Sequence, residues 1–132
     1  MAVTRWPLKQ DRPVVEVVLT FPASGVRVSR VMLADTGAGS AQAPFELILD
    51  ESDCLSGAGK PSRMVYLGGA YSGAFPLYLV RVDIPSLSFR MSVPAVGVPT
   101  PPMGVDGIAC FRFLNRFTYG NFGNAGEFGL EC

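Results

Sequence analysis

The spacing of apolar and polar residues predicts a domain built mainly of β-strands. The run at 14–21 is dense in β-branched residues, which is typical of strands. After turn-forming residues at 22–25, the segment 26–31 alternates with a period of two and predicts the second strand of a hairpin. We expect Val26, Val28 and Val31 to face inward and Arg30 to face outward. The second strand becomes fully apolar at 31–34, which indicates that it enters the interior.

Shorter apolar runs follow, separated by segments that contain glycine, proline or acidic residues. Residues 45–49 fit either a strand or a helix, and we expect an acidic turn at 50–53 and loops at 56–62 and 97–104. The best helix candidate is 108–117. Further strands are expected at 64–67, 75–84, 88–93 and 128–131. The pattern therefore predicts a mainly β fold, a closed or nearly closed barrel with one short C-terminal helix.

Length and composition fit one domain. The chain has 132 residues, 48% of them hydrophobic, which is enough to bury a core. We divide it into an N-terminal arm at 1–13 and a single domain at 14–132. The first ten residues lack the apolar segment of a signal peptide. No stretch reaches the roughly 18 apolar residues of a membrane-spanning helix.

Charge and the absence of histidine exclude several function classes. Lys plus Arg and Asp plus Glu both number 11, so the net charge is zero and nothing attracts the chain to nucleic acid or to an anionic membrane. We expect neither as a partner. Because the chain contains no histidine, Ser-His-Asp and Cys-His catalysis and histidine-ligated zinc are excluded.

The cysteines indicate a reducing compartment. Cys54, Cys110 and Cys132 are odd in number and far apart, without a CxxC pair. We expect two core thiols and one loose C-terminal thiol, no metal and no cofactor. This usage predicts a cytoplasmic protein.

The most informative residues stand where the apolar strand ends, at Asp35-Thr36-Gly37-Ala38. A carboxylate at the end of a buried strand is costly unless it is paired or hydrogen-bonded. Thr36 supplies a hydroxyl and Gly37 allows close approach of another backbone, which suits a carboxylate held at the floor of a cleft. Two other interpretations stay open. An ordinary turn uses the same residue types, and a phosphate loop at 37–40 would need a lysine that is absent.

Three features in order resemble the retropepsin-like aspartic proteases, the single-domain relatives of the retroviral proteases. The first is the apolar strand that runs into Asp35-Thr36-Gly37-Ala38, and the second is a hairpin with a glycine-rich tip at 65–74. The third is 108–117, which is similar to the family's two hydrophobics and a glycine followed by a short helix. The resemblance covers about residues 14–131. Cys110 stands where the family usually has glycine, and Gly107 matches only in a shifted register.

The resemblance implies a retropepsin-like β-barrel with a flap hairpin. A single Asp-Thr-Gly motif implies a homodimeric aspartic endopeptidase, in which each chain supplies one Asp35 to the site that cuts a polypeptide substrate. The implied catalytic residues are Asp35, Thr36 and Gly37, with Thr36 linking the two loops across the axis. The implied substrate-binding flap residues are Tyr66, Leu67, Gly68, Gly69, Ala70 and Tyr71. The alternative, favoured by Cys110, is a non-catalytic barrel of this fold that serves dimerisation or peptide binding.

Overall fold

Strands form a closed barrel of six strands, accompanied by a small separate sheet and a few short helices. The computed structural model describes residues 2–132. Strands account for 50% and helices for 14%, which confirms the mainly β class. The strands are β1 (Val3–Pro7), β2 (Val14–Phe21), β3 (Val26–Ala34), β4 (Leu47–Asp50), β5 (Arg63–Leu67), β6 (Gly73–Ile84), β7 (Phe89–Val98), β8 (Gly107–Ala109), β9 (Thr118–Gly120) and β10 (Glu127–Glu131). The α-helices are α1 (Glu51–Ala58) and α2 (Phe111–Leu114), with 3-10 turns at Gly69–Tyr71 and Pro85–Leu87.

The barrel follows the order β2-β3-β8-β4-β7-β6 and closes where β6 pairs with β2. The pairs β3–β8 and β4–β7 are parallel, and the other pairs are antiparallel. β5 lies outside this circuit and pairs with the first half of β6. The parallel pairing brings the carboxyl ends of β3 and β8 together, with Ala34 opposite Ala109. Asp35, which follows β3, therefore lies close to the start of α2.

Two apolar clusters make up the interior. The main core fills the barrel and includes Val17, Leu19, Met32, Tyr78 and Phe113, all almost fully buried. The second cluster lies under the β5–β6 hairpin and consists of Phe45, Ile48, Val65, Leu77, Val96, Val98, Ile108 and Cys110. It supports the surface on which the candidate site is built.

The first hairpin is confirmed, but the inward face of its second strand differs from the expectation. β2 and β3 pair from Val14↔Leu33 to Phe21↔Val26. Val26 is 48% exposed, whereas the side chain of Arg30 is only 29% exposed. Strict alternation puts Val26 and Val28 on the same face as the buried Met32, as expected, but Arg30 also lies on this face and Val31 on the other. The carboxylate of Asp53 compensates the charge of Arg30 through two hydrogen bonds of 2.8 and 3.0 Å.

The expected acidic turn and the start of the loop after it form α1 instead. Asp50 caps this helix, because its carboxylate accepts hydrogen bonds from the amide and the hydroxyl of Ser52. The acidic residues Glu51 and Asp53 lie in the first turn, where they interact favourably with the helix dipole. Gly59, at φ +80°, ends the helix. The structure therefore contains a second α-helix beyond the single one expected.

The helix expected at 108–117 is much shorter, because the apolar residues before it form a strand. β8 lies between β3 and β4 and pairs with both. Only Phe111–Leu114 are helical, forming α2. The ambiguous run at 45–49 contains a strand, β4. The strand expected at 88–93 is longer than predicted, because β7 continues to Val98 where it pairs with β4.

The N-terminal strand β1 pairs with the C-terminal strand β10 in a separate sheet of order β1-β10-β9. β1 pairs with β10 from Val3↔Glu131 to Pro7↔Glu127. Trp6 of β1 also packs against the main core. The expected final strand is present as β10.

Candidate active site

Asp35 follows the last residue of β3 and is held by its own loop. The amide of Asp35 donates to the carbonyl of Ala109 at 3.0 Å, which continues the β3–β8 pairing by one residue. The carboxylate Oδ1 accepts a hydrogen bond of 2.9 Å from the amide of Gly37. The amide of Ala38 donates to the carbonyl of Asp35 at 3.2 Å. These bonds orient a half-buried carboxylate at a fixed place.

The loop after Asp35 is fastened to α2 and to the chain before β4. The carbonyl of Ala38 accepts a 2.9 Å hydrogen bond from the amide of Phe111. Gly39 has φ +74°, a conformation that L side chains rarely adopt, and a Cβ there would lie 3.3 Å from that of Ala43. The loop at 35–39 is therefore positioned by both of its neighbours.

Asp35 lines a cleft of about 490 Å³, and residues of the β5–β6 hairpin form part of the wall of this cleft. All six residues predicted to form the flap, 66–71, line it together with Asp35 and Gly37. The remaining lining residues are Ala38, Gly39, Phe45, Ile48 and Ile108. The structure thus brings together the predicted carboxylate and the predicted flap, which lie about thirty residues apart in the chain.

The hairpin has a packed base and an open tip. Val65 is buried in the second cluster, whereas Tyr66 is 85% exposed. Alanine-sized side chains at Gly68 and Gly69 would meet no atom within 4 Å. Tyr71 anchors the far side of the tip, since its hydroxyl donates to the carbonyl of Thr100 at 3.0 Å. Partial burial raises the pKa of this phenol. The tip therefore has open space at Gly68 and Gly69, whereas its far side is held by Tyr71.

Thr36 lies on the rim and does not line the cleft. Its side chain is exposed, and within residues 2–132 its hydroxyl has no hydrogen-bond partner. The hydroxyl of Thr36 is therefore exposed one residue after Asp35.

Strand β8 packs most closely against its neighbours β3 and β4 at Gly107. A Cβ at Gly107 would lie 2.3 Å from the carbonyl oxygen of Ile48 and 2.9 Å from the sulfur of Met32. Cys110, at the position where the resemblance expects glycine, lies after β8 and is fully buried. Its amide donates to the carbonyl of Glu46 at 2.9 Å. The fold accommodates the Cys110 side chain and requires glycine three residues earlier.

An ion pair with no local sequence signature joins Glu46, which directly precedes β4, to Arg116, which follows α2. Glu46 is completely buried, and both of its carboxylate oxygens accept hydrogen bonds from Arg116, at 2.5 and 2.8 Å. These bonds raise the pKa of the Arg116 guanidinium. A carboxylate inside the apolar run at 45–49 was the available signal, but its partner lies 70 residues away.

The three thiols divide as expected, with Cys54 and Cys110 buried and Cys132 exposed. Burial is the main cause that raises the pKa of both buried thiols to about 12. The negative charges of Asp35 and Glu46 add to the effect at Cys110.

This difference predicts selective alkylation. At about pH 8, iodoacetamide should modify one thiol per native chain, that of Cys132, because the buried thiols are inaccessible and almost entirely protonated. Mass spectrometry of the native and the urea-unfolded protein gives the count. Modification of Cys110 at the rate of Cys132 in the native protein would contradict the placement of Cys110 beside the site.

Within residues 2–132, no three His, Cys, Asp or Glu side chains are grouped so that they could hold a metal ion. None of the helices in that part of the chain is long and apolar enough to cross a bilayer. Comparison of the chain with protein-family models, curated proteins and solved structures finds no match.

Proposed function

We propose that this chain is an aspartic endopeptidase whose active unit is a homodimer. The proposal rests above all on one observation: Asp35 and the glycine-containing tip of the β5–β6 hairpin line the same cleft. The carboxylate is oriented by the Gly37 amide, and the hydroxyl of Thr36 is exposed beside it. A single carboxylate would leave the catalytic pair incomplete, so the second is supplied by Asp35 of another copy across a two-fold axis.

The chemistry follows from two carboxylates placed a few ångströms apart. Two ionised carboxylates at that distance would repel each other, so the pair retains one proton. One Asp35 is then ionised and the other is protonated. The ionised carboxylate removes a proton from a water molecule, and the water oxygen bonds to the carbon of the peptide carbonyl. The protonated Asp35 hydrogen-bonds the developing oxyanion. Breakage of the C–N bond, with proton transfer to the departing amine, yields a carboxylic acid and an amine.

The cleft suits an extended polypeptide. Phe45, Ile48 and Ile108 provide apolar surface for substrate side chains. Closure of the hairpin tip over the bound chain would exclude bulk water and strengthen the hydrogen bonds around the reacting carbonyl. The direct test is hydrolysis of an unfolded protein at mildly acidic pH by the purified chain, with no metal added and with a chelator present.

Activity should depend on dimerisation. When the protein is diluted below the dissociation constant of its dimer, activity per chain should fall, because a monomer holds only one carboxylate. Sedimentation velocity over the same concentrations gives the fraction of dimer. Specific activity that stays constant where sedimentation detects only monomers would contradict a site shared between two chains.

A further inference from the structure

A second pocket lies beyond the end of the candidate cleft, between the base of the flap and the loop before β4. It has a volume of about 350 Å³ and is lined by Ala41, Gln42, Ala43, Pro44, Arg63 and Arg112. We call it the basic pocket. Pro44 directly precedes Phe45, which lines the cleft, and Ala43 is the neighbour that a side chain at Gly39 would meet. A polypeptide that extends out of the cleft past Phe45 would reach this pocket.

Arg63 is presented on the cleft side of the flap. It begins β5, and alternation along the strand puts it on the same face as Val65 and Leu67, which belong to or pack against the second cluster. Its cross-strand partner is the buried Leu77. The residue is exposed, and within residues 2–132 its guanidinium forms neither a salt bridge nor a hydrogen bond. Its charge is therefore available to a ligand.

Arg112 contributes the second positive charge. Its Nη1 donates a 3.0 Å hydrogen bond to the carbonyl of Ala43, which fixes the guanidinium against the loop. The nearest carboxylate, that of Glu46, is 3.9 Å from Nη2 but is bound more closely by Arg116. No acidic residue lines the pocket. Two arginines thus share a site without a carboxylate of its own.

We propose that the basic pocket binds an acidic side chain, aspartate or glutamate, of the polypeptide substrate and so determines specificity at an outer position of the cleavage sequence. The proposal rests on the proposed peptidase function. A guanidinium matches the geometry of a carboxylate and binds it through paired hydrogen bonds. In a two-fold symmetric dimer the pocket occurs at both ends of the cleft, so the acidic preference should appear on both sides of the scissile bond.

The test uses peptide libraries in which one position at a time is fixed as Glu or Gln and the others are randomised. We expect the wild-type protein to cleave the Glu library roughly fivefold faster at one outer position on each side of the cut, and the ratio to shrink with added salt. Arg63→Gln should lower the ratio, because only the charge of Arg112 then remains, and Arg63→Glu should bring it close to one, because the pocket then carries no net charge. Lys60→Gln is the matched control, since it removes the same charge from an exposed residue that lines none of the pockets described above.

Binding of the same libraries to the Asp35→Asn variant, followed by fluorescence anisotropy, separates the two proposals. If peptides bind with an Arg63-dependent preference for Glu but the wild-type protein cuts none, the peptidase proposal fails and the assignment of the basic pocket stands. Equal binding and equal cleavage of the Glu and Gln libraries at every position would overturn the assignment of the basic pocket alone. So would an equal fall of the preference in Lys60→Gln and in Arg63→Gln, because the effect would then be one of net charge.

Discussion

Asp35→Asn should abolish peptide hydrolysis and leave the fold unchanged. The amide has nearly the shape of the carboxylate, and its oxygen can still accept the hydrogen bond from the Gly37 amide. It cannot take a proton from water, so the general base is lost. We expect the rate to fall by at least about a thousandfold, in keeping with loss of an essential general base. The measurement is turnover of an unfolded protein, with circular dichroism and urea unfolding to show that the variant is folded.

The matched control is Asp106→Asn. The Asp106 carboxylate accepts a 2.8 Å hydrogen bond from the amide of Val31, outside the cleft, so activity should persist in this variant. Residual turnover by Asp35→Asn equal to that of the wild-type protein would end the peptidase proposal. A wild-type protein that binds peptides in the cleft without cutting them would favour the alternative that Cys110 raised, a non-catalytic barrel.

Gly107→Ala should be the most destabilising single-methyl change near the site. The added Cβ would lie 2.3 Å from the carbonyl oxygen of Ile48, which is backbone of β4 and is fixed between β7 and β8. The contact with the sulfur of Met32 could be relieved by rotation, but the contact with the carbonyl requires β8 and β4 to separate. We expect a loss of more than about 3 kcal/mol of unfolding free energy, at the upper end of overpacking changes.

Urea unfolding of Gly107→Ala beside Gly68→Ala measures this effect. Gly68 has an extended backbone and open space around it, so alanine there should change stability by less than about 0.5 kcal/mol. Equal stability of the two variants would show that β3, β8 and β4 do not pack as closely as described. Gly107→Ala therefore tests the part of the fold that positions Asp35.

Local patterns were enough to predict those elements whose pairing is local in sequence. The β2–β3 hairpin follows from β-branched runs around a turn, and the β5–β6 hairpin follows from two apolar runs around a glycine-rich tip. The pattern at 108–117 misled because a short apolar run fits a buried strand as well as a helix. Its strand character depends on β3 and β4, which are distant in the chain. α1 was missed because it is only eight residues long, has few apolar residues and contains a glycine, Gly57.

Some residues of the candidate site have a local signature in the sequence, whereas others are brought together only by the fold. Asp35 and the glycine-containing hairpin were predictable because each has a local signature, and the fold brings them to one cleft. The basic pocket was not predictable, since Arg63 and Arg112 are ordinary charged residues until β5 and α2 place them beside the loop at 41–44. The Glu46–Arg116 pair was hidden for the same reason. Such groupings depend on tertiary contacts that leave no periodic pattern in the sequence.

The central claim, one site made by two chains, is tested most directly by mixing wild-type protein with Asp35→Asn under conditions in which subunits exchange. If both aspartates are needed, only dimers of two wild-type chains are active, and an equal mixture should retain about one quarter of the activity of wild-type protein at the same total concentration. Activity should follow the square of the wild-type fraction across the whole mixing series. If each chain works alone, the equal mixture would retain about one half and activity would follow the wild-type fraction linearly, which would contradict the shared site.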